Sequence, residues 1–201
     1  MSLVAKAAPQ FSSDAVVGTG FATINSSDYA GKWTVLFFYP LDFTFVCPTE
    51  ITSFSDNNER FEALNAQVLG CSTDSKFSHL AWTQQSRRSG GLGELAFPLL
   101  ADFTKEIAEN YGVLLPGGMA LRGVFIIDPD GVVQWESINA LGVGRNVEEV
   151  LRVLAGLQFN AEHGEVCPAN WKPGKDSMKP DPTGSKDWFK KHGNRRARRR
   201  S

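Results

Sequence analysis

The apolar positions of the chain fall into two kinds of run. Residues 33–39 (Trp-Thr-Val-Leu-Phe-Phe-Tyr) and 66–72 (Ala-Gln-Val-Leu-Gly-Cys-Ser) are short, nearly continuous and rich in β-formers. Such runs predict strands covered on both faces. Two more β-rich runs lie within 122–138, around Asp128-Pro129-Asp130-Gly131, whose Asp-Gly step signals a hairpin. Helices are predicted over about 48–64, 76–86 and 104–111. A further helix is predicted over about 146–159, where Val147, Val150, Leu151, Leu154 and Leu157 share one face. The order β-α-β-α-(β)-α-β-β-α predicts an α/β, thioredoxin-like fold: a central mixed sheet flanked by helices, occupying residues 1–164.

The texture changes after that. Pro168, Pro173, Pro180 and Pro182 fall close together, with Gly174 and Gly184 between them. Residues 165–191 therefore read as an extended C-terminal arm, ending in a short aromatic-containing helix at 185–191. Residues 192–201 read as a basic, disordered tail.

Charge sharpens this division. From 186 to 201, eight Lys/Arg accompany one Asp, a balance of +7. The whole chain carries −1, so the remainder carries −8. An acidic body argues against nucleic-acid binding by the domain, and the tail alone has the charge for an anionic surface. With 201 residues, 42% of them hydrophobic, the chain can bury a core as one domain. No apolar run approaches the roughly 18 residues of a membrane span. Residues 1–11 hold one Lys and no long apolar stretch, so no signal peptide is expected. Three cysteines do not make a disulfide scaffold in a chain of this size. The expected setting is a reducing cytoplasm, where a cysteine pair is catalytic.

The stretch Phe38-Tyr39-Pro40-Leu41-Asp42-Phe43-Thr44-Phe45-Val46-Cys47-Pro48-Thr49-Glu50 carries the chemistry. A buried strand ends at Tyr39 and the chain turns at Pro40. Cys47 then falls in the first turn of a helix, where Pro48 is tolerated. Unpaired N–H groups and the helix dipole favour a thiolate there. Thr44 is expected to offer its hydroxyl as a donor to the sulfur or to a bound oxygen. Glu50 stands where a Cys-x-x-Cys site would carry its second thiol. A resolving thiol must therefore come from Cys71 or Cys167. Cys71 lies in an apolar strand and reads as an inert core thiol. Cys167 opens the Pro-rich arm, and a thiol on a mobile arm can travel, which favours Cys167.

These residues resemble a known family. Pro40-x-x-x-Thr44-x-x-Cys47, inside Phe-Tyr-Pro-Leu-Asp-Phe-Thr-Phe-Val-Cys-Pro-Thr-Glu, is similar to the active-site signature of typical two-cysteine peroxiredoxins. The likeness is to the subfamily of the bacterial alkyl hydroperoxide reductase peroxidase subunit, and it runs from about residue 8 to 191. Gly164-Glu165-Val166-Cys167-Pro168-Ala169 is similar to that family's resolving-cysteine segment. The resemblance implies that Cys47 attacks a hydroperoxide and becomes a sulfenic acid. Cys167 of a second subunit then condenses with it to a disulfide. Thioredoxin or a flavoprotein disulfide reductase would restore the thiols, with no metal or organic cofactor. It further implies that Arg122 faces the thiolate and that Glu50 and Arg145 brace the pocket. Pro40 would shield the sulfenic acid. A homodimer, often a ring of five dimers, is the implied assembly. Making the thiolate predominant gains only about 30-fold at pH 7, far short of enzymatic accelerations of roughly 10⁶ or more. The remainder must come from donors to the leaving oxygen, for which Arg122, Thr44 and backbone N–H groups are suited.

Two segments bear on regulation. Gly90-Gly91-Leu92-Gly93 is similar to a loop of peroxiredoxins that over-oxidise readily, and Trp188-Phe189 stands where those carry Tyr-Phe. Together they would slow the local unfolding that disulfide formation needs. The rival reading of the chain is a redox-regulated holdase chaperone or peroxide-signalling scaffold. A cysteine hydrolase would need His79 or His163 beside Cys47, and no cysteine–histidine spacing fits a metal site.

Overall fold

The computed structural model describes residues 2–193. The segment 194–201, with the arginines of the tail, lies outside the described residues. The chain divides into two compact units, Met1–Val147 and Glu148–Ser201. The division falls ahead of the last long helix, not at residue 164, so that helix groups with the arm.

The first unit is built on one seven-stranded mixed sheet. Its strands are β1 (Ser12–Val17), β2 (Gly20–Asn25), β3 (Trp33–Phe38), β4 (Ala66–Ser72), β5 (Leu99–Ala101), β6 (Arg122–Ile127) and β7 (Val133–Asn139). Their order across the sheet is β2-β1-β5-β4-β3-β6-β7. At the centre, β3 pairs parallel with β4 and antiparallel with β6. This explains the unbroken apolar run at 33–39: Val35, Leu36, Phe37 and Phe38 are all fully buried. Alternation along the strand sends Phe37 and Phe38 to opposite faces. Phe37 stacks on Phe54 at 4.3 Å and meets Phe97 edge-on at 5.6 Å. Phe38 packs with Tyr111 and Phe125 at 5.4 and 5.9 Å, in a cluster with Leu36, Ile107 and Ala108.

Four helices cover these faces: α1 (Cys47–Asp56), α2 (Asn58–Ala63), α3 (Lys76–Thr83) and α4 (Glu106–Asn110). Ser75 caps α3, its side chain accepting from the Ser78 amide at 3.2 Å. The single helix expected over 48–64 is two, broken at Asn57. That side chain donates to the Ser53 carbonyl at 2.9 Å, a local bond that competes with the helix ladder. The β1–β2 hairpin and its two-residue Gly18-Thr19 turn were not among the predicted strands. Gly18 takes φ +57, the left-handed backbone such turns require.

The second unit holds α5 (Val147–His163) and α6 (Gly184–His192), longer than the predicted 146–159 and close to 185–191. The arm is more ordered than an extended segment. Val166 and Met178 form an antiparallel bridge with both amides donating across it, at 2.8 and 3.0 Å. Trp171 is buried, rests on Phe159 of α5 at 5.1 Å, and donates from its indole to the Lys175 carbonyl. Among the described residues no helix is long and apolar enough to cross a membrane.

Phe37→Ala removes the ring between Phe54 and Phe97. It should cost about 3–5 kcal/mol of stability, read as a lowered urea midpoint.

Candidate active site

The segment between β3 and α1 delivers Cys47 to the first position of α1, with Pro48 just inside the helix. Cys47 is fully buried. Arg122, at the start of β6, brings Nη1 to 3.4 Å from Cys47 Sγ. The same nitrogen donates to Glu50 Oε2 at 2.5 Å, and Nε donates to the Leu141 carbonyl at 2.7 Å. Glu50, three residues along α1 from Cys47, accepts with its other oxygen from the Arg145 amide and Nε at 2.8 and 2.7 Å. Arg145 also donates to the Gly123 carbonyl, and its guanidinium lies 5.3 Å from the Phe37 ring centroid. Its Nη2 is buried without a hydrogen-bond partner. Burial draws the Arg145 pKa down from the ordinary arginine value, and Glu50 opposes that shift. Side chains of all three charged residues are 5% exposed or less.

The charge count of this cluster matters. One carboxylate and two guanidiniums leave one net positive charge in a buried space. The Cys47 sulfur lies against that positive charge.

Thr44 corrects an expectation. Its hydroxyl donates to the Leu41 carbonyl at 3.0 Å, so its proton is already used. What remains is a lone pair, able to accept from a peroxide O–H. Pro40 is buried at the head of the same loop.

The loop has an anchor that sequence reasoning missed. Asp42 is buried and accepts from the Tyr39 hydroxyl at 2.8 Å, while its other oxygen lies 2.8 Å from His79 Nδ1. His79 Nε2 faces the Leu100 carbonyl at 3.0 Å. The His79 ring thus bridges the Asp42 carboxylate and the Leu100 carbonyl. The Asp42 amide in turn donates to Asp74 at 2.8 Å. His79 is therefore committed to the loop and not to the sulfur. Asp42 lies inside the signature stretch, which was the available signal; its partner 37 residues away was not visible. Phe43 holds φ +54, unusual for a bulky residue, with its ring 5.6 Å from Trp82.

The glycine loop is also hydrogen-bonded. Gly90 and Gly93 take φ +81 and +64, and a Cβ on Gly91 would meet the Gln85 carbonyl oxygen at 2.2 Å. Trp82 donates from its indole to the Gly90 carbonyl at 2.9 Å, and Leu92 is fully buried.

All three cysteines are free. Cys71 is fully buried in β4, where burial first and Asp102 second push its pKa well up. Cys167 lies in the second unit, half-buried, with its thiol 3.5 Å from the Gly156 carbonyl of α5. It is thus seated on a helix and not carried on a loose arm. Burial raises its pKa, and Arg152 opposes the shift. Trp188 and Phe189 sit on α6, where the indole stacks on His192 at 4.5 Å and Phe189 is 55% exposed. No group of three or more His, Cys, Asp or Glu is placed to hold a metal among the described residues.

Comparison with known proteins decides the family. Residues 4–136 match the AhpC/TSA family, and residues 156–191 match the C-terminal domain of 1-Cys peroxiredoxin. The chain belongs to the peroxiredoxins. It is 58% identical over 191 residues to the chloroplastic 2-Cys peroxiredoxin BAS1 of Hordeum vulgare, covering 94% of this chain and 91% of that one. It is 56% identical over 190 residues to peroxiredoxin-2 of Mus musculus, covering 94% and 96%. The reduced 2-Cys peroxiredoxin of Plasmodium vivax superposes with a TM-score of 0.92 at 42% identity, over 94% of this chain and all of that one. The mixed sheet with its helices is therefore the thioredoxin-like peroxiredoxin fold, and the protein is a thiol-dependent peroxidase.

Asp42→Ala leaves the buried Tyr39 hydroxyl and His79 Nδ1 without their shared carboxylate. It should cost about 1–3 kcal/mol, measured by urea unfolding at pH 7.

Proposed function

We propose that Cys47 is the sulfur at which this peroxidase reduces hydrogen peroxide and organic hydroperoxides, with Cys167 of a second copy as its resolving thiol. The observation that carries the reading is Arg122 Nη1 at 3.4 Å from a buried sulfur at a helix start. The thiolate attacks one peroxide oxygen; the S–O bond forms as the O–O bond breaks. Thr44 accepts from the substrate O–H and so orients it. Arg122 and the Cys47 amide donate to the leaving oxygen, which departs as water or alcohol. Glu50 holds Arg122 in place and Arg145 holds Glu50. Pro40 covers the sulfenic acid. The Cys167 thiol then displaces water from that acid to form the disulfide. Thioredoxin or a flavoprotein disulfide reductase returns both thiols, in a reducing compartment such as the cytoplasm.

Self-association belongs to the same reading. β7 is the last strand of the sheet, and residues 5–8 cover only its beginning, with Ala5 and Ala8 donating to Val133 and Gly131. An open antiparallel edge is a template for a second copy. Elsewhere Phe77 and Phe103 are 67% and 71% exposed, and Phe21 lies 5.4 Å from Phe77. An apolar patch of this kind supports a further contact, as a ring of five dimers requires.

The test is a non-reducing gel with intact mass after one equivalent of hydrogen peroxide. Wild type should give a dimer linked through Cys47 and Cys167, and Cys47→Ser and Cys167→Ser should each abolish it. An untouched Cys47 in wild type would refute the assignment. A pH dependence follows from the raised Cys167 pKa. Its thiolate fraction grows with pH across the neutral range, so the disulfide-forming phase in stopped flow should accelerate about tenfold per unit between about pH 6 and 8.

A further inference from the structure

Cys167 and Trp171 lie over one strip of α5. Cys167 Sγ is 3.5 Å from the Gly156 carbonyl. A Cβ placed on Gly156 would lie 3.8 Å from that sulfur and 3.7 Å from the Trp171 ring. One turn earlier on the same face stands Arg152. All three of its guanidinium nitrogens are engaged. Nη1 donates to the Trp171 carbonyl at 3.1 Å, four residues past the cysteine. Nε and Nη2 donate to the two oxygens of Glu149 at 2.6 and 2.7 Å. That fork is bidentate, so it sets the plane of the guanidinium as well as its place.

The electrostatics follow the same geometry. Arg152 and Glu149 hold each other ionised. The Glu149 carboxyl lies below its usual range because Arg152 donates to it, and the Arg152 guanidinium lies above its own for the converse reason. Arg152 is the charge that acts on the Cys167 thiol, drawing its pKa down against the larger effect of burial. Glu149 acts through Arg152, and Lys172 of the arm faces Glu149. A thiolate is the nucleophile in disulfide formation, and a neighbouring cation raises the thiolate fraction.

We propose that Arg152 is a positioning residue for the resolving step: braced by Glu149, it pins the Cys167–Trp171 segment to α5 and supplies the cation beside which the Cys167 thiolate forms. The proposal rests on the reading of Cys47 and Cys167 given above. In that step the Cys167 thiolate attacks the sulfur of the Cys47 sulfenic acid. The S–S bond forms as the S–O bond breaks, and the departing hydroxide takes up the proton that Cys167 lost, leaving as water. Glu149 has a double part, because it holds the guanidinium in place and offsets some of its charge. Arg152 and Glu149 therefore act on the thiol in opposite directions, which a purely mechanical clamp would not produce.

The experiment reads the full chain in two ways. One is the disulfide phase in stopped-flow tryptophan fluorescence after hydrogen peroxide. The other is the rate at which iodoacetamide alkylates Cys167, counted by mass spectrometry in a Cys47→Ser background. Arg152→Met should slow both about two- to fivefold at pH 7. Arg152→Lys keeps the charge without the fork and should recover most of the rate. Glu149→Gln should speed both about twofold. The pH profile of alkylation should move up in Arg152→Met and down in Glu149→Gln, and the rates should converge once Cys167 is fully ionised. An unshifted profile in Arg152→Met, or a loss of rate in Glu149→Gln, overturns the proposal. Alkylation needs no peroxide. A wild type that forms no disulfide overturns the peroxidase reading, while the alkylation profiles still decide whether Arg152 governs the thiol.

Discussion

The site depends on one carboxylate. Glu50 accepts from Arg122 with one oxygen and from Arg145 with the other, and none of the three side chains is more than 5% exposed. Two buried guanidiniums without it would repel each other in a space that cannot solvate them. With it, Arg122 is fixed against the sulfur. Glu50 lies on α1, Arg122 on β6 and Arg145 between β7 and α5. A single charge balance therefore ties the helix that starts at Cys47 to the far half of the sheet.

A second constraint fixes the loop ahead of the cysteine. The turn from β3 to α1 carries a residue at positive φ, Phe43, and needs outside support. The Asp42–His79 pair and the Trp82 ring supply it from α3. The same helix face reaches the glycine loop through the Trp82 indole. The cysteine loop and the glycine loop are thus supported by neighbouring residues of one helix.

Cys47 and Cys167 belong to separate units of the chain. The charged neighbours of Cys47 all lie in the first unit. Cys167 is seated on α5 in the second, in surroundings that raise its pKa.

Much of the outcome was legible in one dimension. Buried strands at 33–39 and 66–72 follow from unbroken apolar runs, because both faces of a central sheet are covered. Cys47 at a helix start follows from Pro48 and the loop before it. Cys71 is the inert thiol its apolar strand predicted. The misses have local causes. The strands β1 and β2 mix Ser12, Asp14, Gly20 and Thr23 with their apolar residues and show no unbroken run, and Asn57 breaks a helix by a side-chain bond that periodicity does not register. The reach from Cys47 to Arg122, 75 residues away, entered only through a family likeness. The Thr44 proton and the Asp42–His79 pair were beyond any pattern. Each depends on which acceptor lies within about 3 Å, and only the folded backbone places those acceptors. The sequence by itself determined which runs are buried and which residue opens the helix after the third strand, since both follow from side-chain type and local spacing. The tertiary structure alone decided who donates to whom, because hydrogen bonds and buried charges are satisfied between segments far apart in the chain.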